Sequence, residues 1–134
     1  MENCLFCKII AGEIPSYKVA ETKDAYAFLD IGPLAFGHTL VLPKKHIVNL
    51  FEADAKDLYP VLDLVTDLAK LLKEKLPCDG LNVLVNNGET AGQTVLHAHW
   101  HLIPRYKADT YGFPPAGKLF PEEAADILSK LKGE

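Results

Sequence analysis

The sequence predicts an α+β domain on a mainly antiparallel sheet of about five strands, with one long helix and two short ones. Three observations carry this. Short apolar runs bounded by turn residues recur along the chain, and one long helical stripe interrupts them before the last two. A length of 134 residues with 49% hydrophobic and 24% charged residues suits one core, so residues 1–134 are read as one domain, core 4–105 and tail 106–134.

In chain order, Cys4 to Ala11 places Leu5, Phe6, Ile9 and Ile10 at helical spacing, with Gly12 as its stop. Lys18 to Glu21 and Asp24 to Asp30 read as a hairpin about Thr22 and Lys23. Gly37 to Pro43 is a third strand, closed by Pro43. From Asp57 to Leu76, apolar residues from Leu58 to Leu76 form one stripe, with Asp57 as the expected N-cap and Pro60 in the first turn. Leu81 to Asn86 alternates as a fourth strand, ended by the turn signal Asn87-Gly88. A polar loop leads into the fifth, Leu96 to Arg105. Residues 106–119 read as irregular, and Pro121 to Leu131 as a terminal helix with Ala124, Ile127, Leu128 and Leu131 on one side.

The fifth strand holds the chemistry. Three of the chain's five histidines, His97, His99 and His101, stand at a spacing of two. On a strand this puts the imidazoles on one face and Ala98, Trp100 and Leu102 on the other. Two chemistries fit such a cluster. The histidines could ligate a catalytic zinc ion that activates water. Alternatively, one imidazole attacks phosphorus and forms a covalent intermediate while its neighbours position and protonate. The preceding loop offers one carboxylate, Glu89, to a metal, but offers Gly92, Gln93 and Thr94 as hydrogen-bonding groups for a phosphate. A nucleophilic imidazole needs its second nitrogen protonated and held by an acceptor, and a strand carbonyl is the nearest one available.

A formal charge of -4 argues against a broad nucleic-acid surface without excluding a small anionic ligand. No apolar run approaches a membrane span and no secretory pattern opens the chain, so a cytoplasmic location is expected. Three cysteines are too few for a disulfide framework. Cys4-x-x-Cys7 has the spacing of a zinc half-site and needs two more ligands.

The run Gly92-Gln93-Thr94-Val95-Leu96-His97-Ala98-His99-Trp100-His101-Leu102-Ile103-Pro104-Arg105 resembles the signature of the histidine-triad (HIT) family of nucleotide hydrolases and transferases. The likeness extends upstream through Phe28-Leu29-Asp30-Ile31, His38 and Pro43-Lys44-Lys45-His46 to the N-terminal Cys4-Leu5-Phe6-Cys7. It implies a HIT-like fold whose sheet is joined to that of a second copy in a homodimer. It implies hydrolysis of a purine nucleotide conjugate at the α-phosphate, with His99 as nucleophile and His101 and Thr94 on the phosphate and leaving group. Asn86, Gly92 and the Val95 amide would complete the cradle, and His38 would support it. Asp30 would hold the ribose, with Phe6, Ile9, Phe28 and Ile31 about the base. Asn86 favours the phosphoramidase-like branch over dinucleoside polyphosphate hydrolases, and a nucleotide-binding adaptor with vestigial activity is the reading from another class. The resemblance also implies structural zinc on Cys4, Cys7, His46 and His97, with no cofactor needed for catalysis.

Overall fold

The computed structural model describes residues 3–109 and 114–133. Its elements are helix α1 (Leu5–Ile10), strands β1 (Lys18–Glu21), β2 (Ala25–Leu29) and β3 (Thr39–Pro43), the long helix α2 (Ala55–Lys75), strands β4 (Gly80–Val85) and β5 (Trp100–Arg105), and α3 (Pro121–Lys132). The strands form one five-stranded antiparallel sheet in the order β1-β2-β3-β5-β4. The β1–β2 turn closes as expected, the Ala25 amide donating to Thr22 Oγ1 at 3.0 Å.

Alternation along the strands divides the sheet into two faces. Ala25, Ala27, Val41 and Leu102 pack against Val61, Leu64, Val65, Leu68 and Leu72 of α2. Tyr26, Phe28, Leu40 and Leu42 face the other way, onto Phe6 and Ile9 of α1. His101 lies opposite Leu40 in the β3–β5 ladder and so stands on the α1 face. The fold therefore uses the α2 face as its main core and leaves the α1 face to build the site. Leu102 is fully buried in that core. Leu102→Ala is expected to lower unfolding stability by about 2–5 kcal/mol, read by urea titration.

Two sequence expectations are corrected. The ladder of the histidine strand begins at Trp100, not Leu96, so only His101 of the three lies within it. Extending the β3–β5 register would set Ala98 against Pro43, which has no N–H to give. The Ala98 amide instead donates to the Ile47 carbonyl at 2.7 Å. Second, α2 starts three residues earlier, with Asp54 and not Asp57 as N-cap, which puts Pro60 in the second turn. The carbonyl that Pro60 cannot serve belongs to exposed Lys56, where water is at hand. Asp57 instead accepts from Lys45 Nζ at 2.9 Å. The terminal helix α3 forms over the expected residues, and none of its apolar stripe is buried. Tyr111 and Phe113 lie outside the described residues.

No described helix is long and apolar enough to cross a membrane.

Candidate active site and metal centre

A cavity of about 290 Å³ opens on the α1 face of the sheet. Phe6, Ile9, Phe28 and Ile31 supply apolar walls, and Asp30, Thr94, Val95, His99 and His101 edge it. Leu5, Ile14, Pro15, Ser16, Leu29 and Leu40 also line it, a set with no chemical signature that sequence could have flagged. Phe6 meets Phe28 edge-on with ring centroids 5.5 Å apart and meets His99 the same way at 4.9 Å. His99 and His101 are neighbours, with centroids 5.0 Å apart.

Fixed donors and acceptors assign each ring nitrogen. The His97 carbonyl, which can only accept, lies 2.7 Å from His99 Nδ1, so Nδ1 is protonated and Nε2 of the neutral ring keeps its lone pair. This is the carbonyl partner expected of a nucleophilic imidazole. The Leu34 amide can only donate, and it reaches His38 Nδ1 at 3.0 Å. Neutral His38 therefore carries its proton on Nε2, 3.0 Å from His101 Nδ1. His101 in turn has its proton on Nε2. The pair presents the cavity with one lone pair, on His99, and one N–H donor, on His101. Nothing in the sequence near Leu34 announced this contact, because a loop amide has no side-chain signature.

The imidazoles are neutral at physiological pH. Burial dominates in each case, pushing His38 and His99 below the usual imidazole range and His101 to about 4. For His101 the neighbouring His99 and His38 add to the effect, while Asp30 opposes it at all three. Asp30 stands at the cavity edge with Oδ2 3.5 Å from His38 Nε2, while its Oδ1 accepts from the Gly32 amide at 2.8 Å.

The loop before the histidines divides its labour differently from the sequence expectation. Thr94 and Val95 reach the cavity. Gln93 is buried, its Oε1 accepting from the Gly88 amide at 2.9 Å and its Nε2 donating to the Val48 and Val95 carbonyls at 2.6 and 3.1 Å. Its side chain is a strut for the loop. Gly92 takes φ +97°, a left-handed conformation that suits glycine, and an added Cβ would stand 3.6 Å from Asn86 Nδ2. Asn86 and Gly92 thus adjoin each other, and neither is among the residues that line the cavity. Lys44 and Lys45 are paired with Glu21 and Asp57, and neither lines the cavity.

A second cluster sits beside the first. The ligand atoms of Cys4, Cys7, His46 and His97 all lie within 4.8 Å of one another. His97 Nδ1 is 3.5 Å from each sulfur, and His46 Nδ1 is 3.3 Å from Cys7 Sγ. Tetrahedral zinc with Zn–S near 2.3 Å and Zn–N near 2.05 Å sets S and N about 3.6 Å apart, so the spacing fits. The tautomer fits too. His97 Nε2 donates to the Pro43 carbonyl at 2.7 Å, which leaves the Nδ1 lone pair aimed at the sulfurs. Asp30, His38 and His101 form another compact group, but there the tautomer is wrong. Ligation through His38 Nε2 would require a proton on Nδ1, where the Leu34 amide already donates. The catalytic-zinc reading of the triad therefore finds no converging ligand set: His97 turns to the cysteines, and His99 Nδ1 to a carbonyl.

Comparisons with known proteins agree with this arrangement. The HIT domain family model matches residues 11–108. Protein hit of Bacillus subtilis is 50% identical over 134 residues, covering 97% of this chain and 92% of that one. Adenosine 5'-monophosphoramidase HNT1 of Saccharomyces cerevisiae is 43% identical over 140 residues, covering 97% and 84%. Among solved structures, a HIT family member from Bacillus subtilis superposes with TM-score 0.89 at 43% identity, covering 98% of this chain and 96% of that one. A Zn-bound histidine triad family protein from Mycobacterium smegmatis gives TM-score 0.79 at 31% identity, covering 98% and 97%. With its triad, its five-stranded sheet and a family match that spans most of its length, this chain belongs to the HIT domain family.

Proposed function

We propose that this protein hydrolyses purine nucleotide conjugates, phosphoramidates foremost, at the α-phosphate through a nucleotidyl-His99 intermediate. The observation that carries the reading is the His99 tautomer: Nδ1 is held by the His97 carbonyl, and Nε2 keeps its lone pair in a residue that lines the cavity. In the first step His99 Nε2 forms a bond to phosphorus as the bond to the leaving group breaks. His101 Nε2–H gives its proton to the leaving nitrogen, which departs as the amine, and Thr94 and the Val95 amide hold the phosphoryl oxygens. Water then attacks phosphorus and returns a proton to His101 Nε2, the N–P bond to His99 breaks, and the nucleoside monophosphate is released. The base lies between Phe6 and Ile9 on one side and Phe28 and Ile31 on the other, with the ribose hydroxyls donating to Asp30. Asn86, Gly92 and Gln93 act by shaping the loop, and His38 by presenting its N–H to His101.

Structural zinc on Cys4, Cys7, His46 and His97 belongs to the same reading, supported by the ligand spacing and by the Zn-bound relative. It would tie α1, which carries Phe6 and Ile9, to the segment that carries His99, and takes no part in the chemistry. A homodimer is supported by β4, a sheet edge with Val83 and Leu84 exposed at 45% and 37%. Residues 1–134 are read as one domain, acting in the cytoplasm.

The test is turnover of adenosine 5'-phosphoramidate across pH with excess chelator present. Because the His99 and His101 pKa values are lowered, protonation needs more acid than a free imidazole would. kcat/KM should stay flat from pH 8 to about 6 and fall only on the acid side of the usual imidazole value of about 6.5. A rate that requires an added divalent ion, or that rises towards acid, would contradict the proposal.

A further inference from the structure

The paired sulfurs at the start of α1 carry a reactivity that the hydrolase reading leaves unused. Cys4 and Cys7 are half-buried free thiols, and each Sγ stands 3.5 Å from His97 Nδ1. The Cys7 amide donates to Cys4 Sγ at 3.3 Å, which keeps the Cys4 side chain turned towards Cys7. Because the ligand atoms of the cluster all lie within 4.8 Å of one another, the sulfurs need to close by under about 3 Å to reach disulfide bonding distance. Cys4 and His46 also line an open cleft of about 480 Å³, so a small oxidant reaches the pair from solvent. The third cysteine, Cys78, is buried and is not among the clustered ligands.

Resting on the structural-zinc reading above, we propose that Cys4 and Cys7 are an oxidative modification site: a hydroperoxide converts them to a disulfide, the zinc leaves, and nucleotide affinity falls with it. One thiolate sulfur attacks a peroxide oxygen and the O–O bond breaks, giving a sulfenic acid; the second sulfur then displaces hydroxide from it. Two thiolates together lose two electrons, hydrogen peroxide takes them with two protons and leaves as two waters, and Zn2+ is freed. A disulfide carries no thiolate charge, so His46 and His97 remain as a pair, too few for a closed tetrahedral site.

Helix α1 carries the effect to the nucleotide cavity. Its N-cap and first turn hold the sulfurs, and its Phe6 and Ile9 are walls of the cavity. Zinc ties this helix to His46 and His97, whereas the disulfide ties it only to itself. His97 stands at the junction, fully buried, with its carbonyl 2.7 Å from His99 Nδ1 and its ring centroid 6.1 Å from that of Phe6. The oxidised protein must therefore order α1 when the base binds, an ordering that the zinc form has in advance. Linkage is reciprocal, so bound nucleotide tightens the zinc by the same factor.

The experiment takes the full chain loaded with zinc, uses hydrogen peroxide as oxidant and is run at low temperature. Peptide mapping should find Cys4 joined to Cys7 with Cys78 unmodified, and a colorimetric indicator should register about one zinc released per disulfide. The Kd for AMP, read by isothermal titration, should rise about tenfold with the far-ultraviolet circular dichroism retained, and should recover on reduction with a phosphine and return of zinc. In the reduced protein, saturating AMP should lower the zinc Kd by the same factor in competition with a chelator. Zinc retained with both thiols intact, sulfur oxidation without a Cys4–Cys7 bond, or an AMP Kd unchanged by oxidation would each overturn the proposal. Reduced protein that holds well under one zinc per chain would overturn the zinc reading, and this proposal with it.

Discussion

His99→Ala is expected to abolish turnover, by about 10⁴-fold or more in kcat, while AMP binding weakens by no more than about tenfold. The asymmetry follows from what His99 does in each state. In the ground state its ring is one of several walls, touching Phe6 edge-on at 4.9 Å. Losing such a contact costs about 0.5–1.5 kcal/mol. In the reaction it is the atom that bonds to phosphorus, and neither neighbour replaces it. His101 has its lone pair committed to the His38 N–H at 3.0 Å, and His97 faces the cysteines. Isothermal titration with AMP and single-turnover assays on the same preparation separate the two effects. An adaptor with vestigial activity would behave differently from the outset, with wild type and variant binding alike and neither turning over.

Removal of metal should act on stability instead. Protein prepared without chelator is expected to hold about one zinc per chain. Stripping it should cost roughly 3–5 kcal/mol of unfolding stability, lowering the thermal midpoint by about 10 °C or more. The cross-link explains the size. Cys4 and Cys7 stand at the start of a six-residue helix that is too short to persist alone, whereas His46 and His97 sit against the sheet. Without the ion, α1 is held by Phe6 and Ile9, and its end near the cysteines is free to fray. Calorimetry paired with metal analysis measures this. Stripped protein assayed at low temperature should still hydrolyse the phosphoramidate, because no step uses the ion. Complete loss of activity with an unchanged midpoint would point to catalytic metal instead, and well under one zinc per chain would remove the structural role.

Much of this architecture is legible in the sequence, and the exceptions have physical causes. Side-chain period is what sequence displays best, so the strands, the α2 stripe and the shared face of the histidines could be read directly. Register against a partner is not displayed. The pattern alone therefore starts the ladder at Leu96, whereas the missing N–H of Pro43 delays it to Trp100. Asp54 and Asp57 are chemically equal as caps, and only the Asp57 partner Lys45, distant in sequence, distinguishes them. Gln93 is polar in a polar loop and so reads as a ligand group, yet its amide is consumed by three backbone contacts. Asp30, by contrast, reaches the cavity edge together with Phe6, Ile9, Phe28 and Ile31, although these residues come from two separate stretches of chain. The contacts that set the tautomers come from backbone groups at Leu34, Pro43 and His97, and backbone groups carry no residue-specific signal.

The central claim is that phosphorus passes through His99, and the most direct measurement is to trap it there. Wild-type protein mixed with adenosine 5'-phosphoramidate and quenched in alkali within the first turnover should carry one adenylyl group, which peptide mapping locates on His99. His99→Ala should carry none. An adduct on another residue, or a full turnover with no adduct at any time point, would contradict the account.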